Sequence, residues 1–414
     1  MKHPSQTERL LLDILKKDAP VQHERLRALS AEAWTEMLDI ARDQRVTPLA
    51  WHRIKQKQLE GGIPAAAASS FEKAFRSNAL RNLDLAAQAR LLAAEMAFRG
   101  IPVVFLKGIV LACAVYEMPA LREMNDLDLL VRPEHLHPAA SMLESMGFQP
   151  ATAIAGKTED GPEGHHLPGF LKSGCAKVEV HWNLANPDKP YSIHPEALWT
   201  RTVPFSVAGA RALSLSNEDL LLHLCLHASY LHQFYFGLRP SCDIASVLER
   251  HGASLDWEAV IERANQWAWQ RGVYLALYFA KDLLDASVPE DVLSRMRPAD
   301  LPENIIESAL GQIFTDRKLA RMVTQPFAEF VTNSSPWDKA KILWRRIFLP
   351  RKDLARKYSL PADSMKVYLF YPRRLLDVLE RHKTNFGKIL KDDPHMKGFV
   401  NRRQTLVNWM ENNR

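Results

Sequence analysis

The chain has 414 residues, 47% of them apolar and 25% charged, with a formal net charge of +6. This length predicts two or three domains, and this composition excludes wholesale disorder, collagen-like repeats and a disulfide scaffold. The four cysteines, Cys113, Cys175, Cys225 and Cys242, form no C-x-x-C pair, so the sequence carries no zinc ribbon and points to a reducing compartment.

The N-terminal apolar run is short and broken by charge, so no signal peptide is expected. No stretch of about 18 uncharged apolar residues predicts a membrane-spanning helix, and the cytoplasm is the expected location. Residues 1–98 read as helices. Leu10, Leu11, Ile14 and Leu15 form one stripe at helical spacing. Trp34, Met37, Leu38 and Ala41 form a second, with Ser30 as its N-cap. A long Ala- and Leu-rich helix is expected between Pro64 and Gly100.

The pattern then changes. The run 101–106 reads as a buried strand, followed by a helix over 109–117. A second strand is expected at 127–131 and a helix from Pro133 to near Gly147. The alternating run 177–182 reads as a third strand. From 217 onward helices return, opened by Ser216 with Asp219 three residues later. After about 300 the helical pattern is interrupted by Pro326, Pro336, Pro350, Pro361 and Pro372. The expected fold class is α+β, a small mixed-sheet core between all-helical regions. Its divisions are an N-terminal helical region (1–98), the α/β core (99–185), a helical domain packing on the cleft (186–300) and a basic, mostly helical C-terminal region (301–414).

The charge is uneven. From Asp338 to Arg414 there are 19 Lys and Arg against 8 Asp and Glu, a net of +11, which leaves −5 for the rest. Such a tail suits a solvated helical surface or an anionic partner. Without an aromatic-basic RNA motif, zinc finger or helix-turn-helix, nucleic acid is not an expected partner.

The candidate chemistry lies in residues 105–131. Asp126 and Asp128 stand one residue apart at the start of a strand, so their side chains share a face. Two such carboxylates repel unless a cation lies between them, and hard oxygen ligands suit Mg²⁺. Glu179 on a later strand can supply a third carboxylate, with His181 on the same face. Lys107 and Gly108 sit at a strand-to-helix turn where backbone N–H groups attract phosphate. Arg122 offers a bidentate clamp. Three acids beside a phosphate-friendly turn suit metal-assisted phosphoryl transfer.

Other residues are read more modestly. His223 and His227 are four apart, but Leu224 follows His223, so the zinc-protease pattern fails and packing or cleft lining is expected. Arg239 and Asp243 fit either a helix pair or a substrate-facing pair. His165 and His166 lie in a loop that is either flexible or able to close over a nucleotide. Cys175 lacks an evident base.

The Lys107–Gly108 turn, the Tyr116-x-x-Pro119-x-x-Arg122 stretch, the DLDLLV strand, Gly147–Phe148 and the EVHW strand together resemble the uncharacterised nucleotidyltransferases of the DNA-polymerase-β-like superfamily. LLHLCLHASY and LRPSCDIASVLE resemble that family's helical region. The resemblance implies a mixed-sheet core in which Asp126, Asp128 and Glu179 hold Mg²⁺ or Mn²⁺. Lys107, Gly108 and Arg122 would bind the phosphates of a nucleoside triphosphate such as ATP. His181, His166, Arg239 and Asp243 would face the acceptor or support the site. The implied reaction moves NMP to an acceptor hydroxyl, phosphate or carboxylate on a small molecule, peptide or protein. One departure stands out: Lys107–Gly108 replaces the Gly-Ser pair of better-known superfamily members. That departure motivates the alternative, a catalytically silent nucleotidyltransferase-like binding protein.

Overall fold

The N-terminal apolar stripes fold as helices α1 (Gln6–Leu15), α2 (His23–Arg27), α3 (Ala31–Asp43) and α4 (Thr47–Gln56), followed by α5 (Ala65–Phe98). The computed structural model describes residues 4–21, 23–151, 164–191, 193–315 and 394–412, with short stretches and single positions between 335 and 377. The interruptions expected at Pro326, Pro336, Pro350 and Pro361 lie outside the described residues. Ser30 caps α3, its hydroxyl accepting from Ala33 N at 3.2 Å. Gly100 ends α5 at φ +67°, a left-handed conformation that glycine adopts without a Cβ penalty.

The sheet has seven strands: β1 (Val104–Phe105), β2 (Asp126–Leu130), β3 (Gln149–Pro150), β4 (Phe170–Leu171), β5 (Lys177–His181), β6 (Val203–Val207) and β7 (Ala210–Ser214). Their order is β3-β4-β5-β2-β1-β7-β6. β2 and β5 run parallel, and β1 is antiparallel to β2. Strand alternation divides the residues between two faces. Leu127, Leu129, Val178 and Val180 are buried on one face. Asp126, Asp128, Lys177, Glu179 and His181 fall on the other.

The sheet runs past residue 185, the boundary expected from the sequence. β7 pairs parallel with β1, so the hairpin β6–β7 belongs to the core. Its two-residue turn, Ala208–Gly209, has φ of +47° and +84°, the positive pair that joins twisted antiparallel strands. The half-exposed strands hide this hairpin in the sequence, and Gly209 between two five-residue runs is the signal that marks it.

Helices complete the body. α6 (Lys107–Val110) passes into a π-turn over Leu111–Val115, and α7 (Leu136–Ser145) follows β2. After β5 come α8 (Glu196–Trp199), α9 (Asn217–Leu226), α10 (Arg239–His251), α11 (Trp257–Gln266), α12 (Gln270–Leu284), α13 (Glu290–Met296) and α14 (Glu303–Ile313). The last helix, α15 (Pro394–Glu411), buries Phe399, Leu406 and Trp409. It packs on α14, where Gln312 Nε2 donates to Phe399 O at 2.9 Å. Among the described residues no helix is long and apolar enough to cross a membrane.

Three amide side chains on α5 fix the segments that carry the polar sheet face. Asn78 Nδ2 donates to Ala120 O at 2.7 Å, and Asn82 Nδ2 donates to Arg122 O at 2.8 Å. Gln88 donates to Ala176 O at 3.0 Å and accepts from Ala176 N at 2.8 Å, just before β5. Asn82→Ala removes the side-chain donor to Pro119 O and one of the two donors to Arg122 O, and is expected to lower stability by about 1–3 kcal/mol. Ser69→Ala, an exposed change on the same helix, is expected to stay within about 0.5 kcal/mol. Denaturant unfolding of both variants checks the difference.

Candidate active site

A cleft of about 640 Å³ opens over the polar face of β2 and β5. The parallel register sets Asp126 beside Lys177, Asp128 beside Glu179 and Leu130 beside His181. The structure therefore brings Asp126, Asp128, Glu179 and His181 to one cleft with Lys107 and Gly108. A donor atom from each of Asp128, Glu179 and His181 lies within 4.8 Å of the others. Among the described residues this is the group that converges so closely; Asp126 lines the same cleft outside it. Two carboxylates and an imidazole fit a divalent cation, and the imidazole suits Mn²⁺ better than Mg²⁺.

The acids are compensated by neighbouring cations. Lys107 Nζ lies 3.5 Å from Asp128 Oδ2, and His181 Nε2 donates to Asp128 Oδ1 at 3.2 Å. Burial pushes the Asp128 carboxyl up, but Lys107 and His181 outweigh it and hold the group well below the usual carboxylate range. His181 also lies 3.6 Å from Glu179 Oε2, and Lys177 donates to Glu179 Oε1. The bond from His181, opposed by burial and aided by Lys177, holds Glu179 at about 2. Burial lowers His181, yet its bonds to Asp128 and Glu179 raise it overall above its ordinary value.

The turn that carries Lys107 is strained. Lys107 has φ +37°, a left-handed conformation costing a non-glycine residue roughly 1–2 kcal/mol. Gly108 is closely packed for a different reason: a Cβ there would lie 3.0 Å from Arg122 Nη1, so a larger residue would need the guanidinium to shift.

Arg122 departs from the phosphate clamp expected of it. Its Nε and Nη2 each donate to Asp243, both at 3.0 Å, and Tyr116 Oη donates to Asp243 Oδ1 at 2.9 Å. The fork is thus occupied, and Asp243 pairs with Arg122 rather than with Arg239. Burial works against the Arg122 charge, but Asp243 overcomes it. The triad ties the segment before β2 to α10. Arg239 reaches the cleft separately, its Nη1 donating to Glu123 O at 3.3 Å.

The histidines form two groups. His165 and His166 sit against His181, with ring centroids 5.6 and 5.1 Å from it, and His166 forms a β-bridge with His181. This loop is held against the sheet edge. Burial, with the nearby charges of His181 and His166, lowers His165 to about 3. Across the cleft, His227 and His232 share a hydrogen bond of 3.1 Å between their Nε2 atoms. His232 stacks on Phe236 at 3.7 Å. His223, by contrast, is a packed core residue, 1% exposed.

Several cleft residues escaped the sequence reading: Arg45, Lys177, His232, Tyr235 and Phe236. The helix expected to continue through residue 234 ends at Leu226, passes through a π-turn over His227–Leu231 and gives way to a loop. Gln233 and Phe234 have φ of +40° and +63°, and Gly237 has +76°. Gly237 was the available signal. Arg403 of α15 braces this loop through Gln233 Oε1 at 3.1 Å, so part of the basic C-terminal region serves packing.

A mixed sheet presenting paired strand carboxylates beside a strand-to-helix turn defines the nucleotidyltransferase class of fold. The chain belongs to the uncharacterised nucleotidyltransferase family, whose model matches residues 30–285. Among solved structures it is similar to the antibiotic-resistance factor ANT(2″)-Ia, at 15% identity over 49% of this chain and 98% of that one, with a TM-score of 0.31. It is also similar to an antigenic nucleotidyltransferase-like protein from Paracoccidioides brasiliensis, at 16% identity over 51% and 97%, with a TM-score of 0.30. No curated protein matches the chain.

Two outcomes follow from this geometry. Arg122→Ala leaves Asp243 buried and unpaired and is expected to cost about 3–5 kcal/mol in denaturant unfolding. Acid should also weaken the fold. Burial, together with the Lys107 charge, holds His223 and His227 well below 6.5. The unfolded chain takes up these protons near pH 6.5 and the folded chain does not. This contribution is complete above that pH and declines as the pH falls below it. His181 opposes the trend, since its raised value favours the fold on the acid side. His223→Gln should therefore flatten the loss of unfolding midpoint between pH 7.5 and 5.5, relative to the unmodified chain.

Proposed function

We propose that this cleft moves NMP from a nucleoside triphosphate such as ATP to an acceptor hydroxyl, phosphate or carboxylate. The observation that carries this reading is the register of β2 with β5, which sets Asp128 beside Glu179 with His181 on the same face. Asp128, Glu179 and His181 would hold a divalent cation, Mn²⁺ or Mg²⁺, with Asp126 beside them. When bound, such an ion neutralises phosphate charge and the charge that develops on the attacking and leaving oxygens.

The chain's own groups do the rest. Lys107 stands between Asp128 and the turn at Gly108, placed to exchange its contact with Asp128 for one with a phosphate oxygen. Arg122 shapes the turn through its packing on Gly108, and its charge remains within reach of the cleft. In the transfer, the acceptor oxygen bonds to the α-phosphorus as the bond to the β-phosphate oxygen breaks. Pyrophosphate leaves with that electron pair, and the acceptor proton passes to solvent. His166 and His181 line the walls against which the acceptor would sit.

The test couples binding to turnover. Ligand at 100 times its dissociation constant stabilises a protein by about 2.7 kcal/mol, so Mn²⁺ with ATP or GTP should raise the melting temperature of the unmodified protein. Asp128→Asn and Glu179→Gln should lose that rise and lose pyrophosphate release by orders of magnitude. Asp128→Asn should also melt lower without ligand, because Lys107 and His181 lose their counter-charge. Absence of both the rise and pyrophosphate release in the unmodified protein would establish the silent binding protein instead.

A further inference from the structure

We infer that Arg45 and Arg239 form the polyphosphate end of the cleft, holding the terminal phosphates of the donor nucleotide. This inference rests on the nucleotidyl-transfer reading and adds to it two residues from the helical flanks. Three of the five cleft cations are already matched by acids: Lys107 with Asp128, Lys177 with Glu179 and Arg122 with Asp243. Arg45 and Arg239 also line the cleft, and neither has a carboxylate within ion-pair distance among the described residues. The cleft is thus acidic at the sheet and carries, elsewhere in its lining, two guanidinium groups without an ion-pair partner among the described residues.

Arg239 is held in place without being neutralised. Nη1 donates to a backbone carbonyl, the guanidinium lies 5.9 Å from the Phe236 ring centroid, and the buried Nε has no hydrogen-bond partner. Burial, reinforced by the charges of Arg122 and Arg45 and only partly offset by Asp243 and Asp126, drags Arg239 down to about 10, so an added anion would relieve the site. Buried charges of this kind persist when something compensates them. Arg45 occupies the left-handed position after α3, with φ +54°. Glycine is the residue that usually ends a helix this way, so an arginine there carries a backbone cost.

The chemistry selects the ligand. The α-phosphorus must lie near the acidic face, where Lys107 is engaged by Asp128. The β- and γ-phosphates carry most of the donor's charge, and the turn at Lys107–Gly108 has no side-chain hydroxyl to bind them. Guanidinium groups bind phosphate oxygens through paired N–H donors. Arg45 comes from the N-terminal helical region and Arg239 from α10, so a bound polyphosphate would join both flanks to the sheet.

Calorimetry with ATP, inorganic tripolyphosphate, inorganic phosphate and adenosine, each with Mn²⁺, tests the assignment on Arg45→Gln, Arg45→Gly and Arg239→Gln. ATP and tripolyphosphate should each bind at least about ten-fold more weakly to the variants, with adenosine unchanged. Arg45→Gly removes the left-handed strain and should melt no lower than the unmodified protein, which separates lost affinity from lost folding. Unchanged ATP and tripolyphosphate affinity in both Arg45 variants would overturn the inference, while the Mn²⁺-linked melting rise with ATP would still support nucleotidyl transfer. Weaker binding of inorganic phosphate with ATP affinity unchanged would overturn the donor assignment and place the pair on the acceptor. If ATP does not bind the unmodified protein but tripolyphosphate does, and the variants lose it, the anion site stands and the transfer reading falls.

Discussion

Negative charge gathered on the cleft face of the sheet is the constraint around which this protein is arranged. Asp128 and Glu179 are register partners on neighbouring parallel strands, and Asp126 lies two residues away on the same face. Carboxylates this close are costly to bury unless positive charge is supplied. The chain supplies it from three directions: Lys107 from the turn before α6, Lys177 from the strand itself and His181 from the strand end. Their combined effect keeps Asp128 and Glu179 ionised despite burial. On the reading proposed above, a divalent cation would take over the contact that Lys107 now makes with Asp128.

The flanking helices do more than cover the sheet. α5 holds the backbone at Ala120, Arg122 and Ala176 through buried amides, so both acid-bearing strands are anchored to one long helix. Arg122 and Asp243 form a forked pair that joins the core to α10. Gln44 accepts from Leu238 N at 2.6 Å and donates to Ile313 O at 3.3 Å, linking the end of α3, the loop after the π-turn and α14. A Cβ at Gly237 would lie 2.0 Å from Gln44 Oε1, so the loop closes only because that residue is glycine. Buried polar ties of this kind set orientation as much as stability, because each has few alternative partners.

The chemistry of the cleft was legible in the sequence to an uneven degree. The D-x-D pair, Glu179 and His181 were readable because strand alternation is a local rule. Lys107 and Gly108 were readable because the turn between a strand and a helix is marked by a change of pattern. Arg122 was read as a phosphate clamp because nothing local shows that Asp243, 121 residues later, occupies its fork. Arg45 was invisible for the same reason: the end of α3 meets the cleft only through tertiary packing. The start of the loop, His232 to Phe234, reads as helix, since its residues continue the helical composition past the point where the backbone leaves it.

By itself the sequence determined the elements whose cause is local. These are the capped helices, the long α5 bounded by Pro64 and Gly100, the alternating strands and the acids that alternation aligns. Tertiary structure alone decided which charges meet. It brought Lys107 to Asp128, gave Arg122 to Asp243, placed His165 and His166 against His181 and left Arg45 and Arg239 without an ion-pair partner among the described residues. It also carried the sheet on to β7, whose partner β1 lies more than a hundred residues earlier. The physical reason is one of range. Backbone propensity and side-chain periodicity act within a few residues, whereas ion pairing and strand register are settled by whatever the folded chain brings within a few ångströms.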